Sequence, residues 1–148
     1  NVASLDDILK FSKNQPTYIQ QLVENFLPGP LTIILEANDK VPCWVNSDLT
    51  TVGFRIPSHP ITLELIRECG PLIGPSANIS GCESGVNFKQ ILEVFDREVL
   101  GIEDDSFLTG QDSTILDLTG KKVRILRQGS ITQKDILTKI PEIPFEEV

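Results

Sequence analysis

The sequence has no methionine, one histidine, one tryptophan and three cysteines among its 148 residues. Cys43, Cys69 and Cys82 are odd in number and widely spaced, which argues against a disulfide framework or a structural zinc site and fits a reducing cytosol better. His59 lies in a Ser-His-Pro turn with no evident triad partner, and the Gly-Lys-Ser or Gly-Lys-Thr of a P-loop does not occur. The sequence therefore predicts neither a metal centre built by the protein nor a serine-hydrolase site.

Positive charge is also scarce, since 13 lysines and arginines stand against 21 aspartates and glutamates and leave a net charge of −8. This balance argues against a broad nucleic-acid-binding face, although a small anion site needs only local cations and amides. No apolar run approaches membrane-spanning length, and no signal-peptide pattern opens the chain. We therefore expect a cytoplasmic protein without a membrane partner.

The missing methionine and the initial Asn1 predict that the chain is a processed or truncated form of a longer protein. Its length predicts one domain over residues 1–140. The last segment, residues 141–148, contains two prolines and three glutamates, and we expect it to form a poorly ordered tail.

Hydrophobic periodicity predicts an α/β (α+β) fold, a twisted mixed sheet with helices packed on it. Helices are expected to begin near Ser4, Pro16, Pro60, Asn87 and Thr132. Strands are expected at residues 31–35, 51–56, 72–74, 99–102, 113–118 and 122–127. The run 31–35 has Thr32 as its only polar member, which is typical of a strand that is buried on both faces. The third helix is expected to turn four residues inward: Ile61, Leu65, Ile66 and Cys69.

Three alternating residues, Thr51, Gly53 and Arg55, share one face of a predicted strand. Glycine at this position allows a ligand to approach the backbone, and arginine offers a planar donor group that suits carboxylate or phosphate. The alternative interpretation is the solvent-facing side of an edge strand.

A second polar cluster, Ser76, Asn78 and Ser80, follows a predicted strand end, where open α/β sheets usually bind ligands. Its hydroxyls and amide can hold anion oxygens, but a helix cap or an Asx turn uses the same residue types. In the predicted hairpin Ser113 opens the first strand and Arg127 ends the second, while Arg124 is expected on the opposite face.

Four segments occur in the order and with the spacing of a known family. They are Pro28-Gly29-Pro30-Leu31-Thr32, Thr51-Val52-Gly53-Phe54-Arg55-Ile56-Pro57, Pro75-Ser76-Ala77-Asn78-Ile79-Ser80-Gly81, and Ser113-Thr114-Ile115-Leu116-Asp117 followed by Leu126-Arg127-Gln128-Gly129. Together they resemble the YrdC/TsaC family of threonylcarbamoyl-AMP synthases, from the start of the chain to about Ile131.

This resemblance implies a YrdC-like sheet that lines a concave ligand cavity. It implies a nucleotidyltransferase that converts L-threonine, bicarbonate or CO2, and ATP into threonylcarbamoyl-AMP and pyrophosphate, with Mg²⁺ held mainly by the phosphates. The product would serve the N6-threonylcarbamoyladenosine modification of tRNA. Implied partners are therefore the proteins of a tRNA-modification complex and, as a weak contact, tRNA itself.

The resemblance also assigns roles to individual residues and requires no catalytic nucleophile from the protein. The residues assigned to the nucleotide are Thr51, Ser76, Asn78, Ser84 and Arg127. The residues assigned to L-threonine are Arg55 and Ser113.

The sequence departs from the family pattern at its beginning and at one motif. The family's N-terminal strand and its Lys-x-Arg motif have no counterpart, so we expect the short single-domain type without its N-terminal part, which would be inactive if truncated. Ser84-Gly85-Val86 stands where the family has Ser-Pro-Thr. Two alternatives remain, namely a non-catalytic module of the same fold that binds tRNA or double-stranded RNA, and a carbamoyl-transfer domain as in hydrogenase maturation.

Overall fold

The computed structural model describes residues 1–82, 87–96, 98–106 and 111–146. The chain divides into two units, of which the first is Asn1–Ile73 with Gln111–Val148 and the second is Gly74–Gly110. The helices are α1 (Leu5–Phe11), α2 (Ile19–Phe26), α3 (Pro60–Cys69), α4 (Phe88–Val94) and α5 (Gln133–Lys139). The strands are β1 (Ser12–Lys13), β2 (Leu31–Ala37), β3 (Thr51–Phe54), β4 (Thr114–Asp117) and β5 (Arg124–Arg127), and a short 3-10 helix spans Cys43–Val45.

Strand β2 is the centre of the sheet in the first unit. Its residue Ile33 pairs with Phe54 of antiparallel β3 on one side and with Leu116 of parallel β4 on the other. The far end of β2 pairs with β1, and β4 continues into antiparallel β5. The expected mixed sheet is therefore confirmed, with one parallel pair at its centre.

One face of this sheet is sealed by helices. Leu31, Ile33 and Leu35 of β2 are at most 1% exposed and belong to the same core as residues of three helices, namely Ile8 of α1, Ile19, Leu22 and Val23 of α2, and Ile136 and Ile140 of α5. The alternate residues of β2, Thr32, Ile34 and Glu36, are only half-buried. The prediction that residues 31–35 are buried on both faces is therefore wrong, because Thr32 and Ile34 on the second face keep part of their surface exposed.

The helix boundaries follow from local capping. The side chains of Ser4, Asn87 and Thr132 each accept a hydrogen bond from a backbone N–H in the first turn of the helix that follows. Helix α3 begins at Pro60, where the missing N–H costs nothing, and His59 caps it. Of the α3 residues expected to face inward only Ile66 is buried, whereas Ile61, Leu65 and Cys69 are exposed.

Two of the strands predicted from the sequence do not form. Residues 72–74 and 99–102 pair with no strand within the described part of the chain.

The C-terminal segment packs against the first unit. Ile143 is 4% exposed in the core, and Phe145 forms a parallel bridge with Val123. Residues 141–146 thus lie against the sheet, in contrast to the poorly ordered tail expected at 141–148.

The second unit contains α4 and a set of polar turns. The Asn87 side chain caps α4, and the Asp105 carboxylate accepts a hydrogen bond from the N–H of Phe88 at the same end. Gly101 lies directly against the Phe88 ring, so that any side chain at this position would collide with the ring. The described part of this unit is therefore ordered by helix capping and contains no strand.

A buried hydroxyl joins β4 to the segment that follows β5. Thr114 is fully buried, and its hydroxyl donates to the carbonyl of Ile131 at 2.6 Å. The same oxygen accepts from the N–H groups of Gly129 and Ile131 at 3.0 and 3.2 Å. Gly129 passes so close to Asp112 and Ser113 that a Cβ would collide with their backbone. This contact fixes the position of Ser113 and of the end of β5.

Replacing Thr114 with valine keeps the volume but removes all three hydrogen bonds. Because buried backbone groups would lose their partner, we expect the free energy of unfolding to fall by about 2 kcal/mol. Urea unfolding measures the change. Thr138→Val is the matched control, since the Thr138 hydroxyl bonds only to Lys134 on the exposed side of α5 and its loss should cost about 0.5 kcal/mol or less. Equal effects of the two substitutions would contradict the anchoring role.

Candidate anion site on the open face of the sheet

The face of the sheet opposite the core is polar, and we call it the open face. Strand pairing places its residues, because side chains of paired residues project to the same side. Thr51 and Gly53 pair with Glu36 and Ile34, and Asp117 also pairs with Ile34. The open face is formed by Thr32, Ile34, Glu36, Thr51, Gly53, Arg55, Ser113, Ile115, Asp117, Arg124 and Arg127.

A register shift brings two arginines of β5 to the open face. Ile115 pairs with Arg127 but Leu116 pairs with Ile125, so Leu126 is an extra residue in β5. Arg124 then pairs with Asp117 on the same side as Arg127. The prediction that Arg124 points to the other face is therefore wrong, since it assumed regular alternation.

Arg127 is held in place by two hydrogen bonds to Ser113 and one to Asp112. Its Nε donates to the Ser113 carbonyl at 3.0 Å, its Nη2 to the Ser113 hydroxyl at 3.0 Å, and its Nη1 to the Asp112 carboxylate at 3.2 Å. The Asp112 side chain is 76% exposed, so that solvent weakens this ion pair. A guanidinium has five N–H donors, so Arg127 keeps free donors at Nη1 and Nη2 for a ligand.

Arg55 carries an unsatisfied donor beside this group. Its Nε is buried and has no hydrogen-bond partner within the described ranges. Burial lowers the pKa of Arg55, and the positive charge of nearby Arg127 lowers it further. Because leaving a buried N–H unpaired is costly, the unsatisfied Nε of Arg55 and the second guanidinium on the same face, that of Arg127, indicate a site for an anion.

At the other end of the open face the charges are already paired. The Asp117 carboxylate is 8% exposed and accepts hydrogen bonds from the Thr119 hydroxyl at 2.6 Å, the Thr119 N–H at 3.0 Å and the Arg124 guanidinium. Burial alone would raise the pKa of Asp117, but these hydrogen bonds and the charge of Arg124 outweigh it and lower the pKa. Arg124 is therefore engaged within the protein, unlike Arg55.

Gly53 leaves space on the open face between Thr51 and Arg55. A Cβ at this position would lie 3.4 Å from Thr32 Cγ2 and 3.9 Å from Ile34 Cγ1, which is ordinary van der Waals contact. The absence of a side chain is thus not required by packing within the first unit. It leaves the backbone open to a ligand.

Comparison with known proteins identifies the family of this chain. The family model Sua5/YciO/YrdC, described as "Telomere recombination", matches residues 1–129. The chain belongs to the Sua5/YciO/YrdC family. The expected family resemblance is confirmed by this match.

Two curated relatives of the Sua5/YciO/YrdC family are named threonylcarbamoyl-AMP synthase. The protein from Pyrococcus abyssi is 34% identical over 145 residues, which is 97% of this chain and 43% of the relative. The protein from Bacillus subtilis is 34% identical over 150 residues, which is 99% of this chain and 43% of the relative. The chain thus spans less than half the length of either relative, and the short single-domain type stays a prediction.

Solved structures of the Sua5/YciO/YrdC family have the same fold. A crystal structure of P. abyssi Sua5 in complex with L-threonine is similar with a TM-score of 0.87 at 34% identity, covering 98% of this chain and 43% of that one. The structure of E. coli YciO is similar with a TM-score of 0.75 at 25% identity, covering 89% of this chain and 65% of that one. The expected YrdC-like fold is confirmed.

The structure brings together four of the seven site residues predicted from the sequence. Thr51, Arg55, Ser113 and Arg127 lie on the open face of the first unit. Ser76 and Asn78 lie in the second unit, and Ser84 lies outside the described residues.

The second-unit cluster forms a turn. The Asn78 side chain donates to the carbonyls of Ile79 at 3.1 Å and Cys82 at 2.9 Å, while Ser76 is exposed. These contacts hold the segment in a local turn, but they are not those of an Asx turn, in which the side-chain oxygen accepts a hydrogen bond from a backbone N–H two residues on. Binding of the nucleotide by Ser76 and Asn78 remains a prediction.

Sequence reasoning missed one residue of the open face, Thr32. Its hydroxyl lies 3.3 Å from that of Ser113, which is distant in the sequence but adjacent across the β2–β4 pair. The available signal was the single polar residue inside an apolar strand, which was interpreted only as an exception within a buried run.

The Asp117 cluster predicts a pH dependence of stability. Because the pKa of Asp117 is lower in the folded protein, its carboxylate stabilises the fold above the unfolded pKa of about 3.9, and this stability is lost as pH falls through the folded pKa. We expect Asp117→Asn to be less stable at pH 7 and to lose less stability than the wild type below about pH 4. Urea unfolding between pH 3 and pH 7 tests this. Parallel curves for the two proteins would contradict it.

Proposed function

We propose that the protein is a threonylcarbamoyl-AMP synthase that binds L-threonine and ATP through its open face. The observation that carries this proposal is the buried Nε of Arg55, which lacks a partner beside the guanidinium of Arg127. A carboxylate or phosphate oxygen would satisfy that donor. The names of the P. abyssi and B. subtilis relatives support this activity over an RNA-binding or carbamoyl-transfer role.

Within this proposal Arg55 and Ser113 hold the carboxylate of L-threonine. The Arg55 guanidinium supplies charge, and the Ser113 hydroxyl, which lies on the same face across β2, adds a second donor. Thr51 and Arg127 hold the nucleotide, with Arg127 directing its remaining N–H groups at phosphate. Ser76 and Asn78 are assigned to the nucleotide on the family resemblance.

The proposed chemistry requires positioning more than a protein nucleophile. The amine of L-threonine adds to CO2 with loss of a proton, or condenses with bicarbonate with loss of water, to form a carbamate. A carbamate oxygen then attacks the α-phosphorus of ATP, the bond between that phosphorus and its bridging oxygen breaks, and pyrophosphate leaves. Donors fixed in advance stabilise the charge that develops on the phosphate oxygens.

Mg²⁺ is part of this proposal as a partner of the phosphates. On the open face, Asp117 is bonded to Arg124 and Thr119, and Asp112 at its rim is paired with Arg127. Within the described ranges no three His, Cys, Asp or Glu residues are grouped as a protein-built metal site would require. The residues present therefore fit an ion that the nucleotide carries, whose role is to neutralise phosphate charge.

The cellular location and the partners predicted from the sequence are part of this proposal. No helix in the described part of the chain is long and apolar enough to cross a bilayer. We place the enzyme in the cytoplasm, where its product would be handed to proteins that modify tRNA. With a net charge of −8, tRNA contact would be weak.

Arg55→Gln tests the central assignment. Removing the guanidinium should raise the KM for L-threonine at least about tenfold, because a charge-assisted hydrogen bond is lost. The assay is pyrophosphate release from ATP in the presence of bicarbonate and L-threonine. Arg67→Gln is the matched control, since Arg67 pairs only with Glu64 on the exposed surface of α3 and its loss should leave the KM unchanged.

No pyrophosphate release by the protein at its full natural length would contradict the proposed activity, since the chain is expected to be inactive if it is truncated. An unchanged KM in Arg55→Gln would contradict the assignment of Arg55 alone. Far-UV circular dichroism of both variants verifies that a loss does not come from unfolding.

Gly53→Ala tests whether the space on the open face is used by the substrate. The added methyl fits against Thr32 and Ile34 without collision, so we expect stability to be unchanged or raised by up to about 1 kcal/mol. The methyl would occupy the space beside Arg55, and calorimetry should show weaker binding of L-threonine. Unchanged affinity in a folded variant would place the substrate elsewhere.

A further inference from the structure

Thr32 lies next to the Ser113 hydroxyl, which the proposed function assigns to L-threonine. It is half-buried in the central strand, and its Oγ1 lies 3.3 Å from the Oγ of Ser113, which is 5% exposed. The two residues are 81 positions apart in the sequence and meet across the parallel β2–β4 pair. The contact is longer than an ordinary O–H···O hydrogen bond, and either hydroxyl could be its donor.

The direction of this contact decides what Ser113 offers to a ligand. A serine hydroxyl has one donor and two acceptor positions. Arg127 Nη2, which can only donate, fills one acceptor position at 3.0 Å. If Thr32 donates as well, both acceptor positions are filled and the Ser113 proton is left for the ligand. If Ser113 donates to Thr32 instead, the ligand meets an acceptor.

The charge of the open face favours the first direction. Arg55, with its unsatisfied buried Nε, and Arg127 both place a guanidinium on this face, so the ligand proposed to bind there is anionic. An ionised carboxylate can only accept hydrogen bonds. A useful Ser113 hydroxyl must therefore donate to it.

We propose that Thr32 is a positioning residue that donates to Ser113 and thereby directs the Ser113 proton to the carboxylate of L-threonine. This inference rests on the proposed function. It also accounts for the polar side chain of Thr32 in β2, since the other four of the first five residues of this strand are apolar.

Calorimetric titration of the wild-type protein, Thr32→Val, Thr32→Ser, Ser113→Ala and the double variant with L-threonine tests the proposal. Thr32→Val should raise the Kd about three- to tenfold, since one hydrogen bond in the chain is lost. Thr32→Ser should restore the affinity to within about twofold, because it keeps the hydroxyl. The Kd for ATP should not change, and Thr138→Val should bind L-threonine as the wild type does.

The double-mutant cycle separates positioning from a general structural effect. If Thr32 acts through Ser113, Thr32→Val should have almost no further effect in the Ser113→Ala background. An equal loss in both backgrounds, or an unchanged Kd in Thr32→Val, would overturn the role of Thr32 and leave the proposed function standing. A wild-type protein that does not bind L-threonine would overturn both.

Discussion

The parallel pairing of β2 with β4 is the constraint on which the rest of the first unit depends. Its alternation places Leu31, Ile33 and Leu116 in a fully buried core and turns the residues between them to the open face. The core on one side holds the strands in register, because a shift by one residue would exchange the two faces. The polar side chains of the open face are thus held in position by the burial of apolar side chains on the opposite face.

The proposed anion site lies on a protein that is acidic as a whole. The net charge of −8 gives no attraction over the whole surface, so the site depends on two local guanidiniums. Arg127 is fixed by Ser113, and Thr114, the next residue in β4, is fixed by the backbone of Gly129 and Ile131. Arg124, a third arginine nearby, is neutralised by Asp117. Selective pairing therefore concentrates positive charge at Arg55 and Arg127.

Local sequence patterns predicted much of the fold. The predictions that were wrong concern features that depend on contacts between distant residues. Caps at Ser4, Asn87 and Thr132 are local, and the helices begin where the sequence indicates. The extra residue Leu126 is invisible to regular alternation, so the face of Arg124 was wrong.

The same limit applies to the site. Thr51, Arg55, Ser113 and Arg127 were predicted from two of the four family segments, and the structure places them on one face of the sheet. The contact between Thr32 and Ser113 could not be predicted, because it requires knowing that β2 and β4 are neighbours. The packing of Ile143 likewise depends on a pairing between Val123 and Phe145 that no local pattern predicts.

The central claim is that the open face of the first unit binds the amino-acid substrate. Titration of isotopically labelled protein with L-threonine, followed by amide chemical shifts in NMR spectra, tests it most directly. The account predicts saturable shifts that are concentrated at Thr51–Arg55, Ser113 and Arg127, with little change in α2 and α5. Shifts confined to other surfaces, such as the loop at residues 38–50, or no shifts at all, would contradict it.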